Sequence, residues 1–316
     1  MRVLLDIVLL VVGFVLLIKS AELFVNASVE IAKRLKIPNL VIGLTVVAMG
    51  TSAPELMISV SAAIGGSGDL AVANVVGSNI FNLIFIVGFC SLLYPIGVNL
   101  KEIARDYWVS VAAAVFLIVI VIVFHDTIPR FGALALLAGF VVYMITLVRH
   151  TMKNKVEGDG DEQGGAKQKP LALSIFLALL GAAVIVLGGH LTVSSAVSIA
   201  QAAGVTERVI GLTIVAMGTS LPELVTTIIA CRKKEGEFAV GFIVGSNIFN
   251  IMFVLGMAGI ITPLAVESGA LFDLAVLIAG SLLFLVFACT GKRVSRIEGL
   301  ALTMVYAGYM AFVLLL

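Results

Sequence analysis

One thirteen-residue segment occurs twice in this chain. Gly43-Leu-Thr-Val-Val-Ala-Met-Gly-Thr-Ser-Ala-Pro-Glu55 returns as Gly211-Leu-Thr-Ile-Val-Ala-Met-Gly-Thr-Ser-Leu-Pro-Glu223, identical at eleven of thirteen positions. A second segment, Gly77-Ser-Asn-Ile-Phe-Asn82, returns unchanged as Gly245-Ser-Asn-Ile-Phe-Asn250. Both copies lie 168 residues downstream of their originals. A single offset without slip means that the two halves duplicate one another.

The solvent those halves fold in follows from composition. Of 316 residues, 61% are apolar and 12% are charged, where soluble domains carry about 25% charged residues. Apolar runs recur at the length of about 20 residues that a helix needs to cross a bilayer. Ten spans are expected, at roughly 4–30, 38–64, 70–94, 106–125, 131–148, 171–202, 206–230, 238–262, 270–290 and 296–315. The first run is long and lacks a small-residue cleavage site, so it reads as a retained helix and not a signal peptide. The stretch 150–169, rich in Lys, Asp, Glu and Gly, reads as a solvated linker. The expected fold is an all-α integral membrane protein of ten transmembrane helices, in two five-helix repeats of inverted topology. These are residues 1–149, the linker 150–169, and residues 170–316. Inversion follows because each half holds an odd number of spans.

Basic residues fix the orientation. One side holds Arg2, Arg130 and Arg208; the other holds 16 Lys and Arg, among them Lys33, Arg34, Lys36, Lys101, Arg105 and Arg149. Lys19 stays inside the first span. The positive-inside rule makes the richer side cytoplasmic. Both termini are then expected outside a plasma membrane, with the linker inside. A net charge of +1 points to no nucleic acid partner. Cys90, Cys231 and Cys289 show no paired or metal-ligand spacing and read as apolar packing. No Gly-rich phosphate loop is present, which argues against an ATP-driven pump.

The repeated segments carry the chemistry. A carboxylate inside hydrocarbon costs at least about 2.5 kcal/mol, yet Glu55 and Glu223 both fall mid-span. The bland reading is a pair of protonated packing glutamates; the functional reading is cation ligation. Pro54 and Pro222 cannot donate to the carbonyls of Gly50 and Gly218. Carbonyls around Ala48 to Thr51 and Ala216 to Thr219 are thereby freed, and such groups are tolerated at membrane depth only where they line a cavity. Helical spacing puts Thr51 on one face with Glu55, Ala48 with Ser52, Thr219 with Glu223, and Ala216 with Ser220. Ser78 and Asn82 stand one turn apart, as do Ser246 and Asn250. Gly77 and Gly245 are expected to let helices approach closely. Interhelical hydrogen bonding is the ordinary role for such Ser and Asn residues; their recurrence beside a carboxylate favours ligation. All these donors are oxygens, which suit hard cations. Calcium takes six to eight oxygens in flexible geometry, and sodium, of similar size, can use the same groups.

At these residues the chain resembles the cation/calcium antiporter superfamily, most closely its prokaryotic sodium/calcium exchanger branch. The Gly-Thr-Ser-x-Pro-Glu and Gly-Ser-Asn-Ile-Phe-Asn segments look like that family's two α-repeats, and the likeness covers essentially the whole chain. It implies sodium-driven calcium transport by alternating access, with the first and sixth spans sliding against eight core helices. It implies a calcium site of Glu55, Glu223 and the backbone of Thr51 and Thr219. Sodium sites would use the Ala48 and Ala216 carbonyls with Ser52, Ser220, Ser78 and Ser246, and Asn82 and Asn250 would complete the centre. One position departs from the pattern: many relatives, including the potassium-dependent branch, carry Asp where this chain has Asn250, which argues against potassium cotransport. The proton/calcium branch typically has Gly-Asn-Ala-x-Glu in place of the second motif; its absence lowers a proton-coupled reading without removing it. The expectation is a transporter of Na+ and Ca2+ in lipid, not an enzyme, needing no cofactor and working as a monomer. A passive channel is the competing class, but polarity is confined to four mid-span patches. Lys19 and Glu22, three apart, form a plausible local ion pair; their counterparts are Leu187 and His190.

Overall fold

The computed structural model describes residues 2–35, 39–153, 170–204, 216–267 and 269–315. Several positions used above lie outside the described residues: Gly211 to Val215 of the second repeat, most of the linker (154–169), the start of the expected seventh span, and Lys36, Arg208, Lys155, Lys167 and Lys169.

The described chain is helical apart from four two-residue strands. A long α1 (Arg2–Leu35) precedes a broken segment. That segment is built of α2 (Asn39–Ile42), a π-helical turn (Gly43–Val47), α3 (Ala48–Thr51) and α4 (Ala53–Ile64). Next come α5 (Gly68–Ile80), a second π-helical turn (Phe81–Ile86) and α6 (Val87–Leu93). Strand β1 (Ile96–Gly97), α7 (Leu100–Val123), β2 (Thr127–Ile128) and α8 (Arg130–Lys153) close the first half. The second half opens with α9 (Leu171–Ala202), α10 (Ala216–Gly218) and α11 (Leu221–Arg232). It continues through α12 (Gly236–Ile248), a third π-helical turn (Phe249–Val254) and α13 (Leu255–Ile261). It ends with β3 (Leu264–Ala265), α14 (Ala270–Gly291), β4 (Arg293–Val294) and α15 (Arg296–Leu315).

Eight helical stretches are long and apolar enough to cross a bilayer, and a ninth forms if the two arms of the bent segment, Leu40–Thr51 and Ala53–Ile64, are one span. They sort into two layers. In the apolar stretch of Gly236–Ile261, 89% is buried, against 17% for the stretch containing α1. Leu4, Leu5, Val8 and Val15 of α1 face outward, as a bilayer-facing surface requires. The polar motifs therefore lie in the inner layer.

The halves meet reciprocally. Strand β1 pairs antiparallel with β4, and β2 with β3, so each pair takes one strand from each half. Helix α6 packs on α15, as α13 packs on α8. Phe81 stacks on Phe85 with centroids 4.8 Å apart, and Phe249 on Phe253 at the same 4.8 Å. α1 runs lengthwise against α9. Their contact is close enough that a Cβ on Gly188 would meet the backbone nitrogen of Leu17 at 3.0 Å, and one on Gly181 the Cα of Phe24 at 3.1 Å. A Cβ on Gly245 would meet the Cα of Leu44 at 2.6 Å, whereas one on Gly77 would meet nothing within 4 Å among the described residues. The counterpart of Leu44, at 212, lies outside them.

Candidate cation-binding site

Both repeated segments break their helix at the serine. Ser52 has φ −81 and ψ 13, and Ser220 has φ −92 and ψ 10, in the sparsely allowed bridge region. The cause is two residues on: proline has no N–H to donate to the carbonyl four residues back, and its ring crowds that preceding turn. New helices then start at Ala53 and Leu221 with the prolines in their first turn, and the first arm turns by 48°. Glu55 and Glu223 are consequently in the first turn of α4 and α11. There the unpaired N–H groups and the helix dipole favour a negative side chain.

That break corrects the expectation that Thr51 shares a helix face with Glu55, and Thr219 with Glu223. Thr51 ends one helix and Thr219 lies just past another, while each glutamate is in the first turn of the next, so the four-residue spacing no longer aligns them. The partnerships cross between halves instead. Ser52 Oγ donates to Glu223 Oε1 at 3.1 Å, and Ser220 Oγ donates to Glu55 Oε1 at 3.1 Å. Thr51 lies beside Glu223 and Thr219 beside Glu55, and the two carboxylates are near enough to act on each other electrostatically. Glu55, Glu223, Ser52 and Ser220 are all fully buried. Neither glutamate faces lipid.

The second motif is reciprocal too. Asn79 Nδ2 donates to the Asn247 carbonyl at 3.1 Å, and Asn247 Nδ2 to the Asn79 carbonyl at 3.3 Å. Asn82 Nδ2 donates to Asn247 Oδ1 at 3.3 Å, and Asn250 Nδ2 to Asn79 Oδ1 at 3.1 Å. Asn82 and Asn250 occupy the second position of a π-helical turn, a wide turn often found at functional sites. The turn holding Asn82 touches α11, which carries Glu223, and the turn holding Asn250 touches α4, which carries Glu55. Asn79 and Asn247 were absent from the expected ligand set. The signal for them was present, since both sit inside the duplicated motif, but spacing alone assigned the polar face to Ser78 and Asn82.

Atoms without partners define what the site lacks. Among the described residues, twelve buried side-chain nitrogen or oxygen atoms have no hydrogen bond; six of these form three duplicated pairs. They are Oε2 of Glu55 and Glu223, Oγ of Ser78 and Ser246, and Oδ1 of Asn82 and Asn250. Buried polar groups are otherwise nearly always paired. Bare oxygens, two of them on carboxylates, are the complement of a hard cation. No cluster of three or more His, Cys, Asp or Glu exists among the described residues, so the acidic charge here comes from two glutamates. The Ala48 and Ala216 backbones lie in α3 and α10, just before each break.

A buried, two-fold set of hard oxygen donors inside an all-helical bundle of membrane-length spans defines the class: a membrane transporter of cations. Comparison with known proteins narrows it. The family model described as sodium/calcium exchanger protein matches residues 5–149 and 173–315. The chain is 34% identical to the sodium/calcium exchanger MaX1 of Methanosarcina acetivorans, over 96% of each chain. It is 33% identical to the inner membrane protein YrbG of Escherichia coli, over 87% of this chain and 86% of that one. The solved structure of the sodium-calcium exchanger NCX_Mj soaked in 2.5 mM Na+ and 0.1 mM Sr2+ superposes with a TM-score of 0.85 at 30% identity, covering 98% of this chain and 99% of that one. The chain belongs to the sodium/calcium exchanger family. It is a multi-span membrane antiporter of that class.

Two lesser expectations gain partners. Lys19 Nζ lies 3.5 Å from Glu22, but Glu22 also accepts from Arg232 of α11, and Lys233 Nζ donates to the Glu22 carbonyl at 3.3 Å and to Asn26. The pair is thus part of a bridge between α1 and α11. Cys90 and Cys231, far apart in sequence, are neighbours in space with both thiols free.

Proposed function

We propose that the protein exchanges Na+ for Ca2+ across the membrane by alternating access. Glu55, Glu223 and the Thr51 and Thr219 carbonyls hold Ca2+. Ser52, Ser220, Ser78, Ser246 and the Ala48 and Ala216 carbonyls serve flanking Na+ sites, and Asn82 and Asn250 complete the centre. The observation that carries this reading is the set of six bare buried oxygens in three duplicated pairs. Two carboxylates neutralise one divalent ion or two monovalent ions. An oxygen shell of six or more donors suits Ca2+, while Mg2+ demands a tighter octahedron and dehydrates reluctantly. Leaving both carboxylates buried without a cation is costly, so the protein must reload before it reorients, and the result is exchange instead of leak. The names of MaX1 and NCX_Mj as sodium/calcium exchangers support the same ions.

The accompanying arrangement is ten spans in two inverted five-helix repeats, with both termini outside and the segment 150–169 cytoplasmic. The reciprocal strand pairs and hydrogen bonds support that symmetry, and the basic-residue bias supports the orientation. The test is Ca2+ uptake into proteoliposomes loaded with Na+. Uptake should follow the outward Na+ gradient and ignore a pH gradient. Uptake driven by the pH gradient alone would select H+/Ca2+ exchange instead, and uncoupled currents would select a channel.

A further inference from the structure

One cavity, of about 1110 Å³, is lined by none of the residues of the candidate cation site. It opens where β1 meets β4, at the start of α7, α12 and α15 and the end of α11. Its lining carries Lys101, Arg232, Lys234, Lys292 and Arg296 against Glu235 and Glu237. Arg232 is engaged by Glu22. The other four cations make no ion pair among the described residues, and they outnumber the two carboxylates.

The internal repeat supplies a control. The same corner of the fold exists in the other half, 168 residues away. There Lys234 is replaced by Gly66, Lys101 by Gly269 and Arg232 by Ile64. The architecture therefore does not require those three cations, whereas Arg296 at the start of α15 has a counterpart in Arg130 at the start of α8. Lys234 is also held at φ +62 where its counterpart Gly66 has φ +81, and Lys292 is held at φ +53. Left-handed backbone costs a non-glycine residue roughly 1–2 kcal/mol, and such strain collects at ligand clamps. Lys234 is thus kept where glycine fits without that cost, while Asp126, which precedes the matching strand as Lys292 does, is left-handed too at φ +58. The starts of three helices, each of 13 residues or more, add positive potential to the same hollow.

We propose that this cavity binds a phosphate-bearing anion, either the headgroup of an anionic phospholipid or a free phosphate. Basic pockets at the cytoplasmic end of membrane helices take such groups, and Lys and Arg supply the charge-assisted hydrogen bonds. Cys289 lines the same cavity and is exposed, whereas Cys90 and Cys231 are buried. Its alkylation rate therefore reports occupancy in the unmodified chain.

The experiment follows labelling of Cys289 by neutral N-ethylmaleimide, read by peptide mass spectrometry. One arm titrates inorganic phosphate into detergent-solubilised protein at fixed ionic strength. The other compares nanodiscs of phosphatidylglycerol with nanodiscs of phosphatidylcholine. Labelling should slow by about tenfold when the ligand is ten times its Kd. Slowing by phosphate assigns a soluble anion; slowing only in phosphatidylglycerol assigns a lipid headgroup. Equal rates under all conditions overturn the proposal. Lys234→Ala/Lys292→Ala should abolish the protection, and Lys33→Ala/Arg149→Ala, which removes the same charge from the same side, should keep it. Protection that survives the first pair, or is lost equally with the second, reduces the cavity to a generic basic surface and also overturns the proposal.

Discussion

The centre of this molecule and its basic end were duplicated together and have diverged unequally. At the centre the bonds that cross between halves are mirrored: Ser52 to Glu223 and Ser220 to Glu55, both 3.1 Å, and the four asparagine bonds in two reciprocal sets. At the basic end Glu22 bridges to Arg232, while the corresponding positions hold His190 and Ile64. In the proposed exchange cycle a cation between the two halves meets the same donors whichever face is open, which calls for symmetry at the centre. The ends face no such demand, and their ion pair has no mirror.

The largest expected effect tests the symmetric centre. Glu55→Gln and Glu223→Gln each remove one carboxylate from a buried, charge-balanced site. Loss of one partner from such a site costs about 3–5 kcal/mol, so Ca2+ affinity should fall by more than about a hundredfold. Transport in proteoliposomes should be abolished in both, with the proteins still extractable and monodisperse. Near-normal transport by either variant breaks the site; a large difference between them breaks the symmetry.

A smaller effect sharpens the crossed partnership. Ser52→Ala removes the donor to Glu223, and Ser220→Ala the donor to Glu55. A hydrogen bond to a charged group contributes about 1.5–3 kcal/mol, which is about tenfold to a hundredfold in affinity. The two variants should match in Ca2+ dependence of uptake. Ser52→Ala combined with Glu223→Gln should lose little beyond the glutamate change, while the same serine with Glu55→Gln should not behave as one unit. The reverse pattern would show that Ser52 acts on the glutamate of its own half and break the crossed partnership.

Much of this was legible in the sequence because duplication and apolar length are one-dimensional signals. The prolines announced the helix breaks at Ser52 and Ser220. Periodicity failed at that break: it extrapolated one helix through Thr51 and Glu55, and a change of axis by 48° undoes any argument from a shared face. The π-helical turns at Asn82 and Asn250 were likewise unread, since one extra residue per turn leaves no compositional mark. Asn79 and Asn247 were missed because their partners are each other, 168 residues apart. Separations of 141 and 210 residues likewise hid the Cys90–Cys231 contact and the reach of Glu22 to Arg232.

The smallest effect belongs to that last bridge. The Glu22 and Arg232 side chains are 27% and 48% exposed, so solvent screens the pair and its worth is about 1 kcal/mol or less. If it ties α1 to α11 in one conformer of the transport cycle, Glu22→Gln and Arg232→Gln should each shift that conformer's population by at most about fivefold. The shift should appear as a change in apparent Ca2+ affinity at one membrane face, with the site itself unaltered. It should shrink as ionic strength rises past about 0.15 M, where charges beyond about 8 Å are screened. The double variant should equal either single one. Additive losses, or equal changes at both faces, would show that the two residues act apart and that the asymmetric end does not bias the cycle through this pair.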